Sequence, residues 1–238
     1  MGIAWRKWKD AALDLLYPPK CIFCRELTER EPICPKCAAA LPQTGDDALR
    51  ELGGGLRCAA PFYYEGCVRE SLLRFKFHDC GHYARGYAEQ MARTAALELG
   101  DGFDIVSWTP VSRKRRQERG YDQAELLARE LCRLWDTAPL RTLQKTVHTP
   151  AQSGIAEAEK RRANVLGVYE AVNGEQWTGK RILLVDDILT TGATLREAAR
   201  TLTLAGAAEV TALTVAMARS DKAEKPDRED EPADTMLW

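Results

Sequence analysis

No stretch of this sequence approaches the roughly 18 consecutive apolar residues that a membrane-spanning helix needs, so no membrane span is expected. The opening residues, Met1-Gly2-Ile3-Ala4-Trp5-Arg6-Lys7-Trp8-Lys9-Asp10, carry charge where a secretory leader would have an apolar core and a cleavage site. A cytoplasmic setting is the expectation, and thiols stay reduced there. An excess of charge of one sign is also missing. The chain has 34 Lys and Arg against 35 Asp and Glu, so the whole molecule offers no electrostatic case for nucleic acid. Any such case must be local. Internal repeats are absent too.

What is present is enough chain, 238 residues, for one sizeable α/β core with a small appendage. Eight cysteines in a reducing compartment are to be read as metal ligands or core thiols before disulfides. Cys21, Cys24, Cys34 and Cys37 fall in two pairs, each with two residues between its members, and nine residues separate the pairs. Thiolates so spaced fit one edge of a tetrahedral site, and the second pair closes it, which predicts structural Zn2+ rather than catalytic metal. Cys58, Cys67, Cys80 and Cys132 are scattered. The run His78-Asp79-Cys80-Gly81-His82 invites a second site, but surface histidines around a half-buried thiol are the expected reading.

Residues 3–17 alternate charge with Trp5, Trp8, Ala12, Leu15 and Leu16, predicting an amphipathic helix over residues 1–17 that Pro18-Pro19 stops. The zinc module and a linker are expected over 18–55, with Gly53-Gly54-Gly55 marking the boundary. A main α/β domain follows over 56–218. In it Asp104–Thr109 reads as a strand. Asp122 and Glu125 then form a capping box for a helix bearing Ala124, Leu127, Ala128, Leu131 and Leu134. Arg181–Val185 is a continuous apolar run of the buried parallel kind. Leu195, Ala198, Ala199 and Leu202 define a helix closed by Gly206, and Glu209–Ala216 is a further strand. This alternation predicts βαβ units and a parallel sheet flanked by helices. Residues 219–238, dense in Asp, Glu, Lys and Pro, are expected to be a disordered charged tail.

The segment Ile182–Thr194 carries the strongest functional signal. A buried strand is expected to end at two adjacent carboxylates, Asp186 and Asp187, on the sheet edge where α/β ligands bind. The turn Thr190-Thr191-Gly192-Ala193-Thr194 then feeds a helix whose N-terminal amides and hydroxyls form an anion cradle. Carboxylates beside a phosphate cradle suit vicinal hydroxyls next to a phosphate, as in ribose 5-phosphate.

This segment resembles the phosphoribosyl-diphosphate motif of type I phosphoribosyltransferases. The resemblance implies that Asp186 and Asp187 hold ribose hydroxyls and that Thr190, Thr191, Gly192, Ala193 and Thr194 bind the 5-phosphate. Phosphoribosyl transfer would then proceed through loss of diphosphate from C1 with Mg2+.

Upstream, Pro110–Gln123 holds Arg113, Lys114, Arg115, Arg116 and Arg119, cations able to grip a diphosphate or a nucleic-acid backbone. Arg113 and Lys114 are the diphosphate-binding candidates. The stretch resembles a signature of the ComF family, with Arg113, Arg119, Gly120 and Gln123 matching. Ser112 and Tyr121-Asp122 depart from its usual His and Phe-Asn. Lys145–Gly154 and Glu159–Val165 resemble further family segments and imply a flap over the site. The resemblance also implies an N-terminal cysteine module, which is present. Its connection with natural competence offers the alternative of a non-catalytic DNA-uptake accessory, with single-stranded DNA or competence and recombination proteins as partners.

Overall fold

The apolar run at Ile182–Val185 becomes the middle of the sheet. Strand β7 (Arg181–Leu189) lies between β8 (Glu209–Met217) and β4 (Ile105–Trp108), parallel to both. Its side chains alternate, Leu183 and Val185 entering one core and Ile182 and Leu184 the other, each no more than 1% exposed. A strand covered on both faces is what a continuous apolar run encodes, and each such side chain contributes roughly 1.5–3 kcal/mol. The computed structural model describes residues 19–29, 31–146 and 167–219. The helix expected over 3–17, most of the flap segment and the charged tail lie outside the described residues.

Beyond β8 the sheet continues through β2 (Arg57–Ala59) and the short β3 (Phe62–Tyr63), both parallel to β8. At that edge β1 (Leu49–Glu51) runs antiparallel to β2, giving the order β1-β2-β8-β7-β4. The sheet is therefore mixed, its parallel body carrying one antiparallel edge. The cause is the stretch expected to be a linker. Gly53, Gly54 and Gly55 all have left-handed φ values, 84°, 63° and 78°, and turn the chain back on itself as a hairpin.

Helices α2 (Gly66–Phe77), α3 (Tyr83–Glu98) and α5 (Gln123–Leu134) cover one face of the sheet. The other face holds α6 (Ala193–Leu204), against which packs a separate hairpin of β5 (Leu143–Lys145) and β6 (Tyr169–Ala171). The apolar positions expected for α6 are all buried. The basic run is itself a short helix, α4 (Arg113–Arg119), begun by the Ser112 side chain and ended at Gly120 with φ 79°. At α5 only half of the expected capping box forms. Asp122 accepts the Glu125 amide, while the Glu125 carboxylate turns to Arg116 and Arg129.

The cysteine module sits directly on this framework. Phe23 packs edge-on against Phe62 and Tyr87, at ring distances of 5.8 and 6.2 Å. Gly86 on α3 makes room for it, since a Cβ there would lie 2.8 Å from Pro32 Cβ. Module and sheet therefore share one core.

Candidate functional site

The four sulfur atoms of Cys21, Cys24, Cys34 and Cys37 lie within 4.8 Å of one another. Thiolates held tetrahedrally at about 2.3 Å from zinc stand about 3.8 Å apart, so the donor set fits that ion. The backbone prepares it. The Cys34 amide donates to Cys21 Sγ and the Cys37 amide to Cys34 Sγ, each at 3.4 Å. Cys34 caps a short helix, α1 (Pro35–Ala40), which swings Cys37 round to the cluster.

The second assembly lies at the carboxyl edge of the sheet. Pairing between β4 and β7 stops at Trp108 and Val185, and the chain leaves β4 through Thr109 and Pro110. Strand β7 was expected to end there as well. It runs on to Leu189 because β8 still pairs with it, Asp186 opposite Thr214 and Ile188 opposite Ala216. Asp186 and Asp187 thus belong to a strand that has outlasted its neighbour on one side, and they border the gap so left. The turn after Leu189 reaches Gly192 in a left-handed conformation, φ 74°, at the cap of α6, and the Ala193 amide donates to Thr191 Oγ1. A Cβ on Gly192 would meet Arg196 Nη1 at 2.9 Å. The glycine serves the turn itself.

A cleft of about 300 Å3 joins these parts, with Asp186, Asp187, Thr190 and Thr194 on one wall and Lys76, Arg115, Arg119 and Lys145 among the others. A larger hollow of about 510 Å3, between Gly53–Gly55 and α6, is lined by Arg196, Arg200 and Glu209 but holds none of the expected residues, so the smaller cleft is the candidate site. Burial pushes the Asp186 carboxyl up to about 7, and the charge of Asp187 adds to it. The Asp187 amide, donating to Asp186 Oδ1 at 2.8 Å, works the other way. Near pH 7 such a group both donates and accepts hydrogen bonds. Asp187 is held by Lys76, Nζ to Oδ2 2.9 Å. Burial lowers the pKa of Lys145, whose amine lies 5.4 Å from the Tyr169 ring centre.

The cleft brings together Asp186, Asp187, Thr190 and Thr194 of the expected residues. It does not gather Arg113 and Lys114, which are exposed on α4, Lys114 pairing with Glu118 at 3.9 Å. The cations of that helix that do line it are Arg115 and Arg119. Asp122 Oδ2 accepts the Val111 amide at 2.9 Å and so fixes the loop entering α4. Arg119 donates to Gln123 at 2.9 Å and lies over the Phe77 ring. Lys76 and Tyr169 line the cleft as well and were not among the expected site residues. His148 and the rest of the expected flap lie outside the described residues. No helix among the described residues is long and apolar enough to cross a membrane.

Sheet, cleft and thiol cluster together define a phosphoribosyltransferase fold carrying a zinc ribbon. A sequence model of the Phosphoribosyl transferase domain matches residues 117–237, and one of the Double zinc ribbon domain matches residues 12–54. The chain belongs to the phosphoribosyl transferase domain family and is a homologue of the ComF competence proteins. It is 29% identical over 202 residues to competence protein F of Haemophilus influenzae, covering 80% of this chain and 86% of that one. With competence protein ComFC of Bacillus subtilis it shares 29% identity over 228 residues, 90% of this chain and 89% of the relative. The DNA utilization protein YhgH of Escherichia coli is 33% identical over 122 residues, half of each chain. Among solved structures, an adenine phosphoribosyltransferase from Thermoanaerobacter pseudethanolicus aligns at 19% identity with a TM-score of 0.38, over 62% of this chain and 73% of its own.

Proposed function

We propose that the cleft binds phosphoribosyl diphosphate and transfers its phosphoribosyl group to an acceptor, in a cytoplasmic protein whose ribbon holds structural zinc. The observation that carries this reading is the juxtaposition of Asp186-Asp187 with Thr190 and Thr194, the two ends of the turn, in one cleft ringed by cations. Asp186 and Asp187 take the ribose hydroxyls. The Thr190, Thr191 and Thr194 hydroxyls, with the amides of Gly192 and Ala193 at the start of α6, take the 5-phosphate. Arg115, Arg119 and Lys145 face the diphosphate, and Arg113 and Lys114 stand further out on the same helix. The C1–O bond breaks with its electron pair leaving on diphosphate, and the acceptor's lone pair forms the new bond to C1. Mg2+ brought in with the diphosphate supplies further neutralisation of the leaving group.

Titration calorimetry of the purified protein with phosphoribosyl diphosphate, with and without Mg2+, tests this. Charge-assisted hydrogen bonds contribute roughly 1.5–3 kcal/mol each, so Asp186→Asn and Asp187→Asn should each weaken binding about tenfold or more. Absence of any binding by the wild type defeats the assignment.

The alternative is an accessory role in DNA uptake. It is favoured by the exposed Arg113, Lys114 and Arg116 on α4 and by the names of the relatives, competence and DNA utilization proteins. A basic helix face beside the cleft offers a single strand phosphate contacts whose strength falls with salt.

A further inference from the structure

Lys76 has no task in the reading above. It sits in the last turn of α2 with its amine 2.9 Å from Asp187 Oδ2, and the two side chains are only 19% and 14% exposed. Fixing a long, flexible side chain and desolvating its charge are both costly, so a pair this enclosed needs a firmly placed helix. That helix end is held from two sides. Arg74 donates to the carbonyls of Ile22, at 3.1 Å, and Phe23, at 2.6 Å, within the cysteine ribbon. From the opposite side the Tyr121 hydroxyl donates to the Phe75 carbonyl. Lys76 follows directly.

Two adjacent carboxylates opening on one gap are a natural lodging for a divalent cation, which would bind Asp oxygen at about 2.1 Å. An ammonium already on Asp187 Oδ2 occupies that oxygen and cancels much of the field that would draw the ion in. Lysine suits such a role better than arginine. Its charge is compact, its stem flexible, and it makes no rigid bidentate fork that would resist release.

We propose that Lys76 is a tethered counter-cation for the acidic pair: it holds Asp187 in the ligand-free protein, keeps divalent metal ions off the carboxylates, and turns to the ligand's anionic groups once ribose hydroxyls take its place. The last of these steps rests on the phosphoribosyl reading; the exclusion of metal does not. On this view the divalent ion arrives with the diphosphate and is not stored at the pair.

The test uses Mn2+ alone on zinc-replete, full-length, ligand-free protein, followed by electron paramagnetic resonance. Wild type should show no stoichiometric site at sub-millimolar Mn2+. Lys76→Met should gain one site per chain, at least about tenfold tighter than any wild-type binding, because a full opposing charge has been removed. Adding Asp187→Asn to it should abolish that site, and Lys76→Arg should keep the ion out. Lys76→Gln gives the same readout if the methionine variant does not fold. The proposal is overturned if wild type binds Mn2+ as tightly as the Lys76 variants, or if folded variants gain no site. A parallel titration with phosphoribosyl diphosphate separates the two ideas. Lys76→Met should lose about tenfold in affinity for it. Wild type that takes up no phosphoribosyl diphosphate while the Mn2+ pattern holds removes the phosphoribosyl reading and leaves metal exclusion standing.

Discussion

Four thiols drawn from one short stretch make the ribbon cluster, whereas the cleft collects its charges from α2, α4, β5 and β7. The ribbon's ligands are set by spacing along the chain, with backbone amides already directed at Cys21 and Cys34 Sγ. The cleft exists only after the sheet has formed, because the gap that exposes Asp186 and Asp187 is the place where β4 stops and β7 continues. A local site needs its ion in order to fold, while an assembled site needs its fold before it can bind. The two also meet: α2 touches the ribbon through Arg74 and the cleft through Lys76.

The largest effect should follow loss of the metal cluster. Breaking it with Cys34→Ser leaves a ribbon too small to hold itself together. Ile22 and Phe23 are 3% and 2% exposed within the core that also contains Phe62 and Tyr87, so the damage should reach the sheet domain. That domain should remain folded at room temperature but melt lower by on the order of 10 °C, the shift that a loss of about 3–5 kcal/mol gives at this size. Calorimetric melts beside elemental zinc analysis decide it. An unchanged Tm in zinc-free variant protein would show that ribbon and sheet are energetically separate.

A smaller effect of opposite sign belongs to the cleft. Burial raises the Asp186 pKa from its ordinary 3.8 to about 7. Between those values the folded protein binds more protons than the unfolded chain, so stability is greatest below about pH 4 and is lost as pH rises through 7. Asp187, Lys76 and Thr109 are the groups that act on this carboxyl, and Lys76 only partly offsets Asp187. Asp186→Asn removes the ionisation. It should match wild type near pH 4 and exceed it by up to about 4 kcal/mol at pH 8, while weakening ligand binding. Denaturant titrations at the two pH values check this. A wild type whose stability rises from pH 5 to pH 8 relative to Asp186→Asn contradicts it.

Much of this was legible in the sequence, for reasons that differ by residue. The cysteine spacing and the Ile182–Thr194 segment are local patterns, and both are found at the centre of their assemblies. Lys76 was not legible, because nothing near it in the chain hints at Asp187; only the packing of α2 across the sheet edge brings them together. Gly53–Gly55 misled, since glycine-rich composition is the same in a linker and in a hairpin, and β1 and β2 are too short to show alternation. The three residues that depart from the ComF pattern acquire structural reasons. Ser112 caps α4, the hydroxyl that Tyr121 adds reaches the carbonyl of Phe75, and Asp122 accepts the Val111 and Glu125 amides.

The finest distinction lies within α4, one face of which serves the cleft while another is exposed. Arg115 and Arg119 line the cleft; Arg113 and Lys114 do not. Replacing Arg115 with alanine should weaken phosphoribosyl diphosphate binding by about fivefold to tenfold, the scale of one partly exposed charge-assisted contact. Replacing Arg113 and Lys114 together should change that affinity by no more than about twofold, because screened charges outside the cleft act weakly at physiological salt. If the outward face serves nucleic acid, the same double variant should bind single-stranded DNA less tightly and show a log–log salt slope reduced by about 1.4, one phosphate contact per lost cation. Calorimetry with the sugar phosphate and fluorescence anisotropy with an oligonucleotide, both across a salt series, read the two faces separately. Should the outward pair prove to control sugar-phosphate affinity while Arg115 does not, the division of α4 drawn from the cleft lining is reversed, and the diphosphate lies nearer the helix start.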